Sequence, residues 1–303
     1  MYAMTVPRFG PPEVLTPVEL PVPEPGPGQV RIRVAAAGAL PVDARVRRGE
    51  RPLSDAVTLP LVPGNEFAGT VDAVGPGTDE PAPGTEVLGF GTFGGYAEYV
   101  VVPSDQVVPK PAAMPWEVAG GFSAQAQGAH MALSAVGVNP GETVLVNSAA
   151  GGLGTVAVQL ARAWGAAMVV GSASERNHDH LREIGAVPVL YGEGLAERVR
   201  AVAPRGVDAA LDSFDDDSLR QAVGIVGDPR RVVSMVSHET ARELGLPEPA
   251  GPRSAARLAE MVDLYERGLI RVHVRRAVPL ADAALAHREL DTGHGRGKIV
   301  LTL

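Results

Sequence analysis

The hydrophobic positions of the chain follow two different rhythms. In the first third, glycine and proline crowd into residues 21–28, 60–64 and 75–84, and short alternating stretches lie between them. Val30, Ile32 and Val34 alternate with Arg31 and Arg33, the period-two pattern of a half-buried strand. Residues 70–74, 85–88 and 96–102 read the same way, so the pattern predicts a compact β-rich domain with many tight turns.

From about Trp116 the rhythm becomes strand, helix, strand. Residues 143–146 form a short apolar run, and after a glycine-rich turn Leu153, Val156, Ala157, Leu160 and Trp164 recur at helical spacing. Strands are predicted at 167–170, 187–190, 207–211 and 231–236, with helices ending near Gly185 and around 195–202. Ser254 is placed to cap a helix whose face carries Leu258, Met261, Val262 and Tyr265 before Gly268 stops it. Repeated βα units imply a doubly wound parallel sheet. Residues 269–303 have strand, helix and strand character and are expected to pack back on the first domain.

Composition narrows the chemistry. The 303 residues include no cysteine, which forbids disulfides, thiolate zinc sites and a cysteine nucleophile. A formal charge of −8 argues against a nucleic-acid surface, which needs clustered cations. No run of about 18 apolar residues appears, and residues 1–10 lack the features of a signal peptide, so the expectation is a soluble cytoplasmic protein without a membrane span.

The turn after the first βα strand reads Asn147-Ser148-Ala149-Ala150-Gly151-Gly152-Leu153-Gly154. As a dinucleotide fingerprint, Ala149 stands at the first glycine position, Gly151 lets backbone approach a pyrophosphate, and Gly154 permits close helix-on-strand packing. A helix beginning here aims free N–H groups and its positive dipole end at an anion. At the end of the next strand no carboxylate occupies the position that would grip a ribose 2′-hydroxyl. Ser172, Ser174 and Arg176 instead offer hydroxyls and a guanidinium for a 2′-phosphate, which favours NADPH. The alternative is that Ser174 caps the following helix and Arg176 is a surface charge.

The chain resembles the medium-chain dehydrogenase/reductase superfamily, and within it the zinc-independent quinone oxidoreductase branch. The resemblance rests on Gly64-Asn65-Glu66-Phe67-Ala68-Gly69-Thr70-Val71-Asp72-Ala73-Val74-Gly75, Gly94-Gly95-Tyr96-Ala97-Glu98-Tyr99, the Ala149 to Gly154 turn, and Gly297-Lys298-Ile299-Val300-Leu301. It implies an α/β fold: a GroES-like β-barrel catalytic domain over 1–117, a Rossmann NADPH-binding domain over 118–266, and a segment over 267–303 that returns to the first. The family places cofactor and substrate in the cleft between the two domains. It also implies that Gly151, Gly152 and Leu153 contact the pyrophosphate, that Ser172, Arg176 and Tyr191 surround the 2′-phosphate, and that Met235, Val236 and Ser237 meet the nicotinamide. Each has a packing alternative; for Tyr191 it is a place at the strand end.

Where the zinc-dependent branch has a Cys near Leu40 and a His at Asn65, beside Glu66, this chain cannot supply the set, so no metal site is expected. Other departures fall near the chemistry. Leu40 replaces a usual Asn, Arg45 a frequent Tyr, Gly128 ends the usual hydroxyl near the nicotinamide, and acidic residues around Asp215 replace glycines. Arg45 is a candidate polariser of a substrate carbonyl, with a surface ion pair as its alternative. The acidic cluster is expected to cap a helix. The expected activity is hydride transfer from NADPH to a quinone or α,β-unsaturated carbonyl substrate. The alternatives are a non-catalytic NADPH-binding member acting through a partner, or an enoyl reductase of a specialised biosynthetic pathway. Pro247, Pro249 and Pro252 occupy the stretch where the family usually pairs an edge strand across a dimer, so that dimer is expected to be absent, leaving a monomer or a non-standard dimer.

Overall fold

The computed structural model describes residues 1–293 and 295–303. In chain order its strands are β1 (Tyr2–Thr5), β2 (Thr16–Glu19), β3 (Gln29–Ala39), β4 (Glu66–Val74), β5 (Glu86–Phe90), β6 (Tyr99–Pro103), β7 (Val107–Pro109), β8 (Thr143–Val146), β9 (Met168–Ala173), β10 (Val187–Leu190), β11 (Ala209–Asp212), β12 (Val232–Ser234), β13 (Val274–Pro279) and β14 (Lys298–Thr302). The chain divides into two compact units, Met1–Ala124 with Ser254–Val262 and Val272–Leu303, and Gln125–Arg253 with Asp263–Arg271.

The first unit is built on a sheet in which β13, β14, β3, β4, β5 and β7 follow one another and β6 pairs with β3. The long strand β3 organises it. One side pairs with β4; on the other, residues 29–33 pair with β6 and residues 36–39 with β14. Val30, Ile32 and Val34 are buried between exposed or half-exposed arginines, as the alternation demands, and they meet Phe67, Val100 and Leu301 in the core. Tyr96 departs from the strand predicted over 96–102. Gly94 adopts a φ of 99°, the Tyr96 N–H bonds the Pro63 carbonyl, and the fully buried ring turns inward before β6 begins.

The second unit is a five-stranded parallel sheet in the order β10, β9, β8, β11, β12. Pairing runs outward from β8 to β10 and then resumes on the other side of β8 with β11. Right-handed crossovers therefore place the early and late helices on opposite faces, and the order reverses between β8 and β11. The strand predicted over 231–236 is shorter than expected. Arg231 belongs to the 3-10 turn Pro229–Arg231, and the N–H groups of Val236 and Ser237 turn back onto Ser234 Oγ. The acidic cluster caps a helix as expected: Asp215 accepts the Ser218 N–H at 2.8 Å at the start of Asp216–Val226.

Candidate cofactor site and polar centre

The glycine turn joins β8 to the helix Gly152–Ala163. Ser148 is the one non-glycine residue with positive φ (57°) among the described residues, a conformation costing about 1 kcal/mol or more. A Cβ on Gly154 would stand 2.3 Å from the Ser148 carbonyl oxygen, so only glycine lets the helix enter this closely. Gly151, Gly152 and Leu153 remain half-exposed, and the first N–H groups of an α-helix have no partner within it. This is the geometry of an anion cradle. Ala149 is buried, and its N–H donates to the Ser172 carbonyl at 3.0 Å.

The remaining candidates in this unit divide. Ser174 is half-exposed before the 3-10 turn Glu175–Asn177, and its hydroxyl accepts from Asn177 Nδ2 at 3.1 Å. Arg176 is exposed, and no carboxylate among the described residues pairs with it. Ser172 faces inward. It is buried, and its hydroxyl donates to Asn147 Oδ1 at 2.8 Å. Tyr191 is exposed and stacks obliquely on Phe214, with ring centroids 5.5 Å apart. Phe214 went unread in the sequence because it sits inside the acidic run. Met235, Val236 and Ser237 follow β12, and Met235 N–H donates to the Asp212 carbonyl. A Cβ on Gly128 would meet Leu153 at 3.0 Å and Met235 at 3.6 Å, so three positions far apart in sequence share one small space.

In the first unit, the residues around Leu40 and Asn65 are organised by Asp43, which sequence reasoning passed over. Asp43 accepts Asn65 Nδ2–H at 2.7 Å, the Leu40 N–H at 3.1 Å, the Gly64 N–H at 3.3 Å and the Tyr96 hydroxyl at 3.4 Å. Burial pushes its carboxyl up to about 6, against these bonds and the attraction of Lys298. Tyr96 Oη also lies 3.1 Å from His287 Nε2. Burial, assisted by the charge of Arg47, pushes His287 down to about 3.

Leu40 brings no donor atom, Asn65 is engaged with Asp43, and Glu66 is occupied. One Glu66 oxygen takes Lys298 Nζ at 2.6 Å and the other the Ala124 N–H at 2.7 Å, a buried arrangement that leaves no room for a side chain on Gly38. No group of three or more metal-binding side chains occurs among the described residues, and these positions do not fit a zinc ion. Arg45 donates to Glu50 at 2.8 Å, which is the ion-pair alternative. Although burial pushes the Glu50 carboxyl up, its hydrogen bonds from Arg45 and Arg48 hold it below its usual range.

Comparison with known proteins places this geometry. Residues 26–112 match the model of the alcohol dehydrogenase GroES-like domain, and residues 184–301 that of the zinc-binding dehydrogenase domain. The human synaptic vesicle membrane protein VAT-1 homolog is 35% identical over 179 residues, 58% of this chain, and the match spans only 46% of that protein's length. The quinone oxidoreductase from Coxiella burnetii superposes with a TM-score of 0.87 at 29% identity, covering 100% of this chain and 99% of that one. A mycobacterial protein solved in complex with NADPH does so with a TM-score of 0.86 at 29% identity over 100% of both chains. With a GroES-like unit, a doubly wound parallel sheet and a glycine turn at its centre, the chain belongs to the medium-chain dehydrogenase/reductase superfamily, on its quinone oxidoreductase branch.

Proposed function

We propose that the protein is a zinc-independent, NADPH-dependent oxidoreductase that reduces a quinone or an α,β-unsaturated carbonyl compound. The observation that carries this reading is the accessible glycine turn on β8, beside the point where the strand order reverses. A nicotinamide dinucleotide bound there would supply the hydride for an electron-poor carbon of the substrate. Gly152 and Leu153 receive the pyrophosphate on backbone N–H groups, Gly151, whose own N–H donates to the Ser148 carbonyl, lets the backbone come close, and Ala149 and Gly154 set the closeness of turn and helix. Ser174 and Arg176 take the 2′-phosphate, since an unpaired guanidinium matches phosphate geometry. Tyr191 and Phe214 offer their aromatic faces to the adenine. Met235, Val236 and Ser237 meet the nicotinamide, and Gly128 keeps space open beside Leu153 and Met235.

A metal-free reduction suits the residues around Asp43, which offer hydrogen bonds and apolar surface and no Lewis acid. Quinones and conjugated enones accept hydride with little electrophilic help, and solvent provides the proton. The reading assigns cofactor binding to 118–266 and catalysis to 1–117 with 267–303, in a cytoplasmic enzyme whose partner is a small molecule. No helix among the described residues is long and apolar enough to cross a membrane.

Titration with NADPH and NADH, followed by loss of the reduced-nicotinamide absorbance with a panel of quinones and enones, tests the proposal. Arg176→Ala is expected to weaken NADPH by about 10-fold or more and NADH by less than about 2-fold. Equal losses would remove the 2′-phosphate assignment. Binding without turnover of any compound would turn the protein into a nucleotide-binding member.

A further inference from the structure

Beneath the glycine turn lies a closed polar network that pyrophosphate binding does not by itself require. Asn147 ends β8 and is fully buried. Its Nδ2 donates to Asp212 Oδ1 at 3.1 Å and to the Ser218 carbonyl at 3.2 Å, and its Oδ1 accepts the Ser172 hydroxyl at 2.8 Å. Its backbone N–H donates to the Leu211 carbonyl, and its own carbonyl accepts the Ser213 hydroxyl. Asp212, at the end of β11, also accepts Ser218 Oγ–H at 2.5 Å and the Phe214 N–H at 3.2 Å. One amide thus ties the carboxyl ends of β8, β9 and β11 together across the reversal of strand order, where an open parallel sheet forms its binding crevice. The next residue is Ser148, with its positive φ.

We propose that Asn147 and Asp212 are positioning residues for the dinucleotide, holding the phosphate turn and Phe214 in their binding arrangement before the cofactor arrives. The inference rests on the nicotinamide reading given above and deepens it. A turn fixed in advance spares the ligand the entropy of ordering it. Both Asp212 oxygens act as acceptors, Oδ1 for Asn147 and Ser218 and Oδ2 for Phe214, so a proton on this carboxyl removes an acceptor site and loosens one of these three bonds.

That coupling makes nucleotide affinity depend on pH. Burial pushes Asp212 up to about 6 against the bonds from Ser218, Phe214 and Asn147, and the nearby charge of Asp215 adds to the rise. The groups facing it from β8 and β9, Asn147 and Ser172, are neutral. On the helix side Asp216 carries a further charge, its carboxyl held low by hydrogen bonds from Ser237 and Thr240.

Two measurements test the proposal. Hydrogen exchange of backbone amides 149–154 in the ligand-free protein reads the turn directly. NADPH and NADH titrations from about pH 5 to about pH 8 read the affinity. Asn147→Ala is expected to raise exchange in 149–154 while the rest of the unit keeps its protection, and to weaken both nucleotides about 10-fold. Ser172→Ala, which removes one bond and leaves Asn147 in place, is expected to fall between Asn147→Ala and the wild type; it carries the test should Asn147→Ala fail to fold. Wild-type affinity is expected to fall below about pH 6, and Asp212→Asn to flatten that profile. Wild-type exchange and affinity in both Asn147→Ala and Ser172→Ala would overturn the proposal, as would an unchanged profile in Asp212→Asn. If the wild type binds neither nucleotide, the cofactor reading fails, and the exchange comparison alone decides whether the network holds the turn.

Discussion

His287 and the two buried aspartates pull the pH dependence of stability in opposite directions. His287 has an ordinary value of 6.5 and is pushed down to about 3 in the fold, so the unfolded chain binds its proton more readily. Its contribution to stability is lost as pH falls from about 6.5 toward 3. Asp43 and Asp212 stand at about 6 against an ordinary 3.8, so their contribution is full below 3.8 and lost as pH rises through about 6. Between about pH 7 and pH 5 the opposing effects largely offset one another. Removing the histidine exposes the other side of the balance: relative to wild type, His287→Gln should gain about 2 kcal/mol of unfolding free energy between about pH 7 and about pH 5. Urea titrations at the two pH values measure this, and an equal difference at both would show that His287 is not held neutral.

At the level of elements, the edge of the parallel sheet decides assembly. β12 has three residues, and beyond the short helix His238–Glu243 the chain runs through Pro247, Pro249 and Pro252 without forming a strand. The Ala250 N–H is spent on the Met131 carbonyl. Prolines remove ladder donors, so this stretch is a poor template for a second copy. Light scattering on the eluted protein, with a crystal structure of any dimer found, should reveal no five-stranded sheet continued into a neighbour. A sheet running unbroken across two copies would refute this. The elements themselves were legible because they depend on local periodicity: the alternation around Val30 and the helical spacing from Leu153 both gave the observed structure. Their ends were less legible where a side chain stops a strand, as Ser234 does by capturing two N–H groups. The polar centres were hidden for a different reason. Asp43 meets Tyr96 from 53 positions away, and Tyr96 meets His287 from 191, distances at which no periodicity links residues. Asn147 and Asp212 did carry a signal, a polar residue at the carboxyl end of an apolar strand, and so could have been found.

For the whole molecule, the proposed chemistry makes the protein indifferent to chelation. Prolonged dialysis against a strong chelator should leave both melting temperature and quinone turnover unchanged, because Leu40, Asn65 and Glu66 form no ligand set. A loss of either that added zinc restores would require a different account of the site.

The path of β3 also bears on how the chain is made. On the side away from β4, residues 36–39 of this strand pair with β14, so the sheet of the first unit cannot close until residues 298–302 have left the ribosome. The strands of the second unit, by contrast, all lie within residues 143–234 and can pair while synthesis continues. During that interval the nascent first unit carries an open strand edge and a Glu66 that lacks its Lys298 counter-charge, the kind of surface chaperones hold. The part of the chain translated first is therefore the last to be finished, and a premature stop shortly before Lys298 would leave the Rossmann sheet complete and the barrel open.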